Sequence, residues 1–478
     1  MVKQPTSIKR ADALDALRGF AILMMVLSGI IPRDGTLPAW MYHAQTPPPN
    51  YVFNPHLPGL TWVDIVFPIF LFAMGASIPL ALSRLINKGW RYSQIFFFIL
   101  KRGFLLGIFA IVLQHFRSHI INSTEETPEK WQLALQGFFI LFLMFTRLPK
   151  FFPKFLNQFI SIAGWSICIL VLSKLTYPDG SKFSLERSDI ILIVLTNMAI
   201  FGSIIWLFTK SNWWLRLGLL GILLGLIFSA TDDGWVKEFW FNSPLPWIFR
   251  FDYLKYLFIL IPGTIAGDLI LKWMKNYDTN NDDSITEKWP VSRFLIIALL
   301  MLTIDLVLLL GLQSRLVLQT TLISVVLCGS GWLLFQQPGN QIENLLNRLY
   351  GWGIYWLVLG LAFEPFQGGI KKDSATISYF FITTGMSIFL LILFTVISDY
   401  FQQKGLLKLL IYNGENPMIA YVVFGNLLLP LFKLTGWYEE ITQMTQTPTL
   451  GLFRGFVYTL IVAFVVSIFS RLKLFWRT

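Results

Sequence analysis

Charge is scarce in this chain, and so are cysteine and histidine. Only 14% of its 478 residues are charged, whereas soluble globular domains carry roughly 25%. This composition excludes an ordinary soluble domain. The two cysteines, Cys168 and Cys328, each lie inside an apolar run, which excludes a disulfide framework and favours a packing role. The sequence also lacks a Walker A loop, a zinc-binding pattern and a serine elbow, so we expect no metal site.

Apolar residues make up 55% of the sequence, and they form runs long enough to cross a hydrocarbon core of about 30 Å. We predict an all-α fold, a polytopic membrane helical bundle of about 14 transmembrane helices (range 11–14). The whole chain, 1–478, is interpreted as a single integral-membrane domain with a polar cytoplasmic linker near 276–290. The predicted spans are 13–31, 60–83, 94–116, 132–147, 154–175, 188–209, 213–230, 254–275, 291–312, 315–335, 348–366, 376–400, 416–434 and 452–472.

The net charge of +11 has a membrane explanation. With an even number of spans and the N-terminus inside, the inner segments and span ends hold 23 Lys and Arg residues and the outer ones hold 14. This bias agrees with the positive-inside rule. We therefore expect no nucleic-acid partner, and we predict a multi-pass protein of the cell's inner (plasma) membrane with both termini cytoplasmic.

Two histidines lie in the loop before the second predicted span. His56 is framed by Pro55 and Pro58 in a segment that should be stiff and close to the membrane face. Because an imidazole exchanges protons near neutral pH, His56 is a candidate general base. The alternative is an interfacial histidine bonded to a loop carbonyl. His43 has the same chemistry with less support from its surroundings.

Asp64 is an acid carried into the first turns of the second span. Charges at membrane depth are costly and are often functional. The helix dipole favours an acid at this position, which is one explanation. The other is that Asp64 orients an imidazole and stabilises its charged form. The sequence leaves both open.

Four further charged residues lie at the starts of predicted spans. Asp15 and Arg18 are three apart at the start of the first span, so they either pair with each other as an anchor of that span, or Arg18 contacts an anion or cofactor. Lys371 and Lys372 follow two glycines at the start of a predicted span, where phosphate or carboxylate binds well. A fifth residue, Asn416, either faces a polar cavity or caps its helix.

Several of these residues belong to longer motifs that resemble one family. The chain resembles the heparan-α-glucosaminide N-acetyltransferase family and its bacterial relatives, which are uncharacterised multi-pass proteins. The motifs that carry the resemblance occur in the same order along the chain as in that family. The similarity rests on residues 14–21 (LDALRGFA), 59–68 (GLTWVDIVFP), 70–75 (FLFAMG), 370–372 (IKK) with 378–379 (SY), and 413–418 (NGENPM).

This resemblance implies a transmembrane acyltransferase. It implies that acetyl-CoA from the cytoplasm donates an acetyl group to an amino or hydroxyl group of a sugar or glycan beyond the membrane. It also implies that the protein is surrounded by membrane lipid and forms a homodimer. The family's histidine corresponds to Asn54 here, and His56 lies two residues later. The implied catalytic residues are His56, Asp64 and Asn54. The implied cofactor-binding residues are Asp15, Arg18, Lys371, Lys372 and Asn416.

Two other function classes stay open on the sequence. One is a transporter of amino sugars or similar solutes, which should show inverted repeats with matched helix breaks. The other is a family member without catalysis, which the shifted histidine allows. Transfer of label from acetyl-CoA to a sugar separates the enzyme from both.

The predicted topology can be tested with reporter fusions. Green fluorescent protein fused after Thr478 should fluoresce, and alkaline phosphatase at that site should be inactive, because the C-terminus is expected in the cytoplasm. Phosphatase inserted in the predicted outer loop at 231–253 is the matched control and should be active. The reverse pattern would contradict the predicted orientation.

Overall fold

The computed structural model describes residues 11–33, 37–122, 125–149, 151–279 and 289–478, with residues 277–279 described by their backbone alone. The described chain is almost entirely helical, which confirms the predicted all-α fold. The helices are α1 (Asp12–Ile30), α2 (Trp62–Asn87), α3 (Tyr92–His115), α4 (Ser118–Ile121), α5 (Pro128–Phe145), α6 (Lys154–Lys174), α7 (Ile190–Thr209), α8 (Trp213–Ser229), α9 (Trp235–Phe241), α10 (Leu257–Thr279), α11 (Val291–Gln313), α12 (Val317–Leu334), α13 (Gln341–Ala362), α14 (Ile377–Thr395), α15 (Lys404–Glu415), α16 (Pro417–Val423), α17 (Leu429–Thr435), α18 (Trp437–Met444) and α19 (Pro448–Arg471).

Short elements complete the described fold. Short 3₁₀ helices lie at Ala39–Met41, Phe251–Tyr256 and Phe366–Gly368, and π-helical turns lie at Val396–Tyr400 and Phe424–Leu428. The second π turn joins α16 to α17. Two short antiparallel strands, β1 (Thr146–Arg147) and β2 (Phe475–Trp476), pair Thr146 with Trp476.

Among the described residues, eleven helices are long and apolar enough to cross a membrane. This makes the chain a multi-pass membrane protein. Every one of the fourteen predicted spans coincides with helix, but α5, α8 and α13 are not among the eleven. Helix α8 has 17 residues, about 26 Å, which is less than the hydrocarbon core. Helices α5 and α13 begin with polar turns that hold Glu129 and Glu343.

The described chain divides into two compact units, and each gathers segments that are distant in sequence. Unit 1 contains Met1–Ala21, Pro38–Ala81 and Pro262–Ile411, as far as these are described, and unit 2 contains Ile22–Leu37, Leu82–Ile261 and Tyr412–Thr478, also as far as described. The linker predicted near 276–290 lies mostly outside the described residues. Its first residues continue helix α10 to Thr279.

Unit 1 is organised around α14, nearly all of whose residues are buried. It packs along α13 and against α11. Ile377–Thr395 contains no acidic or basic residue, and a helix that is apolar on every side can be buried among other helices without leaving a charge unpaired.

Helices α2 and α10 approach closely within unit 1. A Cβ atom on Gly267 would overlap the carbonyl oxygen of Ala76, and one on Gly263 would overlap that of Phe72. The two glycines are four residues apart and face α2, which is the small-residue spacing that lets membrane helices pack backbone to backbone.

Replacing Gly267 with Ala should therefore destabilise the protein. The added methyl group has to displace backbone, and overpacking of this kind costs about 1–3 kcal/mol. Gly221→Ala on α8 is the matched control, because nothing lies within 4 Å of its added Cβ. Thermal unfolding in detergent measures both. A Gly267→Ala variant that melts at or above the wild-type temperature would contradict the close packing.

Candidate functional site

Two loops of unit 1 meet beside the start of α2. We call residues 38–61, between α1 and α2, the strap, and residues 364–376, between α13 and α14, the lysine loop. The backbone N–H of Gly59 donates to the carbonyl of Ile370 at 2.8 Å. The buried amide of Gln45 accepts from the N–H of Asp373 at 2.8 Å and donates to the carbonyl of the same residue. These bonds join segments that are more than 300 residues apart in the sequence.

The lysine loop has its own internal support. The carboxylate of Glu364 is buried, lies 2.7 Å from Nη2 of Arg315, and accepts a hydrogen bond from Ile370 N at 3.3 Å. Gly369 has a φ of +91°, and a Cβ there would lie 2.8 Å from Nη2 of Arg315 and 2.9 Å from Pro58. Only glycine combines this backbone conformation with so close an approach.

Asp64 is the third residue of α2 and is 2% exposed. Its Oδ2 accepts from the backbone N–H of Thr61 at 3.0 Å and of Ala44 at 3.1 Å, and the Thr61 hydroxyl lies 3.0 Å from the same oxygen. An acid that accepts from the residue before its helix satisfies an otherwise unpaired backbone donor. One oxygen of Asp64 therefore closes the helix start and anchors the strap.

The other carboxylate oxygen of Asp64 binds a histidine of the strap. Oδ1 lies 2.7 Å from Nδ1 of His43, whose side chain is 34% exposed. Because a carboxylate only accepts, Nδ1 carries the proton, and the neutral ring has its lone pair on Nε2. Asp64 thus sets both the orientation and the tautomer of His43.

Lys372 completes a charged group that we call the His43 cluster (His43, Asp64 and Lys372). Its Nζ lies 3.2 Å from Nδ1 and 3.4 Å from Nε2 of His43. The hydroxyl of Tyr379, in the first turn of α14, donates to the backbone carbonyl of Asp64 at 2.8 Å. The cluster therefore unites an oriented base with an ammonium group that can stabilise negative charge.

The structure places Asn54 and His56 outside this cluster. Both side chains are exposed, and the Asn54 amide oxygen accepts from the backbone N–H of His56 at 3.0 Å. Of the two strap histidines, Asp64 contacts His43. Asn54 N donates to the carbonyl of Gln45 at 2.9 Å, so the strap folds back on itself between the two histidines.

Asp15 and Arg18 form a second group. They pair with each other at 3.0 Å, and Arg18 also donates to the hydroxyl of Ser77. Ser77 lies thirteen residues beyond Asp64 on α2, which corresponds to about 20 Å of helix. Of the two alternatives that the sequence left open for Asp15 and Arg18, the structure shows the pairing.

The two remaining candidates have backbone partners. The N–H of Lys371 donates to the Thr376 hydroxyl at 3.1 Å, within the lysine loop. Asn416 belongs to unit 2, where its buried amide donates to the carbonyl of Leu474 at 2.8 Å and accepts from Trp476 N at 3.3 Å. These bonds tie the C-terminal segment to the start of α16 and account for the burial of Asn416.

Sequence reasoning missed Gln45 and Tyr379, since neither lies in a motif with a known chemical role. The spacing Thr61-x-x-Asp64 was available as a helix-start signal, since an acid three residues after a threonine reads as a capping box. The preference for His56 over His43 rested on the prolines that frame it and on the family resemblance, neither of which reports contact with Asp64.

Comparison with known families gives a match over the first part of the chain. The model described as "Domain of unknown function (DUF5009)" matches residues 10–270, more than half of the chain. The chain belongs to the DUF5009 family. No curated protein matches the sequence. The part that matches DUF5009 includes His43 and Asp64, whereas Lys372 lies beyond it.

The support of the lysine loop can be tested at Arg315. Changing Arg315 to Met leaves the carboxylate of Glu364 buried without its cation, and we expect a loss of about 2 kcal/mol in stability. The double change Arg315→Met with Glu364→Gln should recover much of this, since a neutral amide tolerates burial and still accepts from Ile370. Unfolding temperatures of the single and double variants measure the effect. A single variant as stable as wild type would rule out this role for the ion pair.

Proposed function

We propose that this protein is a membrane acyltransferase that moves an acetyl group from acetyl-CoA to an amino or hydroxyl group of a sugar or glycan. The observation that carries the proposal is the 2.7 Å contact between Asp64 and His43, with Lys372 3.2 Å from the same ring. Acyl transfer from a thioester needs a general base and a group that stabilises negative charge. An oriented imidazole beside a cation provides both.

The chemistry requires only a proton acceptor and charge stabilisation. The acceptor's nitrogen or oxygen attacks the thioester carbonyl while its proton passes to Nε2 of His43. The C–S bond then breaks, the thiolate of CoA leaves, and His43 returns the proton to it or to solvent. Asp64 stabilises the imidazolium formed in between. The ammonium of Lys372 offsets negative charge that develops on the carbonyl oxygen.

The group around Arg18 suits the phosphate end of the acetyl donor, acetyl-CoA. On the predicted topology, Asp15 and Arg18 lie at the cytoplasmic end of α1, and the His43 cluster lies at the outer end of α2. CoA is an elongated molecule with its phosphates and its thioester at opposite ends. A guanidinium recognises phosphate well, so we propose that Arg18 contacts CoA and that the thioester reaches His43.

Acetyl transfer by purified protein tests this function. The protein is incubated in lipid nanodiscs with radiolabelled acetyl-CoA and a panel of amino sugars and glycans. His43→Ala should lower the transfer rate at least about 100-fold, and Asp64→Asn by a similar factor, because each removes the oriented base. Lys372→Met should lower the rate with a smaller effect.

His56→Ala is the matched control among the strap histidines. Since its side chain is exposed and outside the His43 cluster, transfer should stay near wild type. Loss of transfer in His56→Ala, with retention in His43→Ala, would assign the base to His56 as the family resemblance implies. Solute uptake into liposomes without any acetyl transfer would overturn the enzyme and favour a transporter.

A further inference from the structure

Another buried acid of unit 1, Asp305, lies within a long apolar helix. Asp305 is fourteen residues past the start of α11, a helix of 23 residues in which it is the only acid. It is 4% exposed, and neither oxygen of its carboxyl group has a hydrogen-bond partner among the described residues. Each oxygen of Asp64, by contrast, is bonded.

The surface of α12 that faces α11 is also polar and buried. Two close approaches fix how α11 and α12 are aligned: Gly311 of α11 packs on Thr320 of α12, and Gly331 of α12 approaches Leu300 of α11. The helices therefore run antiparallel, and Asp305 lies level with the turn of α12 between Ser324 and Cys328. Cys328 lies within electrostatic range of Asp305. Ser324 is fully buried, and its hydroxyl has no partner among the residues described.

No cation faces this region from the helices packed on α11. The described helices α12 and α14 contain no Lys, Arg or His, and the basic residue of α11, Arg293, is about 18 Å away along the helix. On α13, the titratable Tyr350 donates its hydroxyl to the carbonyl of Cys328 at 2.8 Å. An ionised Asp305 would therefore be an unpaired charge in a low dielectric, which is very costly.

Glu343 is a buried acid of the same unit whose carboxyl group is well supplied with hydrogen-bond donors. It is fully buried, but its carboxylate accepts from Trp289 N at 2.9 Å, Gly339 N at 2.6 Å and the Asn340 amide at 2.7 Å. Three donors compensate its charge. Asp305 has no such donors.

We propose that Asp305 is an intramembrane proton-binding site, a carboxylic acid that exchanges one proton between –COOH and –COO⁻. A metal cation is a poorer occupant, because hard cations take about six or more oxygen ligands and this site offers one carboxyl group and one free hydroxyl. Protonation removes the charge of the carboxyl group, so the neutral acid needs no counter-ion in these surroundings and is far less costly to bury than the carboxylate.

Labelling with dicyclohexylcarbodiimide tests this directly. The reagent adds to a protonated carboxyl group in apolar surroundings and rearranges to a stable N-acylurea. Trypsin then yields peptide 294–315, in which Asp305 is the only carboxyl side chain, and peptide 316–348, in which Glu343 is the only one. The protein thus contains its own matched control.

Mass spectrometry should find the adduct on peptide 294–315 and little on peptide 316–348. Above the midpoint, labelling should fall about tenfold for each unit of pH, because the protonated fraction does. Asp305→Asn should abolish it, and replacing sodium by choline should not change it. Protection by sodium, equal labelling of both peptides, or no adduct on 294–315 would overturn the proposal.

A second measurement does not depend on access of the reagent. Asn is close in shape to a neutral Asp, so Asp305→Asn should melt near the wild-type temperature at about pH 4, where the carboxyl group is substantially protonated even in the unfolded chain. As pH rises from there, the unfolded chain releases this proton while the folded chain retains it, so the melting temperature of wild type should fall relative to the variant until the folded carboxyl group titrates. Parallel melting curves from about pH 4 upwards, or a wild type that gains stability over the variant as pH rises, would show that Asp305 is not a proton-binding site.

Discussion

A carboxylate taken out of water needs hydrogen-bond donors, and the position of Asp64 is decided by where it finds them. The first turn of a helix presents unpaired N–H groups and the positive end of the dipole. Asp64 satisfies the Thr61 N–H with one oxygen and extends to Ala44 with the same atom. The strap must therefore return to the start of α2, and this return brings His43 onto the other oxygen. The geometry of the candidate site depends on that single buried acid.

The two explanations offered for Asp64 are compatible because a carboxylate has two oxygens. Oδ2 performs the structural role at the start of α2, and Oδ1 orients an imidazole. The lysine loop then adds a cation to the arrangement, held in place by Gln45 and by Glu364 with Arg315. A site of this kind is rigid because each loop is bonded to the other and not only to its own helices.

The position of a buried acid along its helix decides whether backbone N–H groups are available to it, and the acids of unit 1 differ in this respect. Asp64 and Glu343 lie at helix starts, where backbone donors are available, whereas Asp305 lies in the middle of α11, where every backbone N–H is already used by the helix. An acid at a helix end can remain charged by recruiting donors. An acid at mid-span needs a cation or a proton, and the neighbouring helices supply no cation.

The amino-acid sequence by itself determined the membrane class and the helices, because a long run of apolar residues has no other stable form in a bilayer. It also offered the pairing of Asp15 with Arg18 as one of two alternatives, since side chains three apart on a helix lie close enough to interact. It did not determine which histidine Asp64 binds, nor that Asn416 holds the backbone of Leu474. Those choices depend on loops that meet across hundreds of residues, such as Gln45 with Asp373, and only the packed tertiary structure brings such loops together.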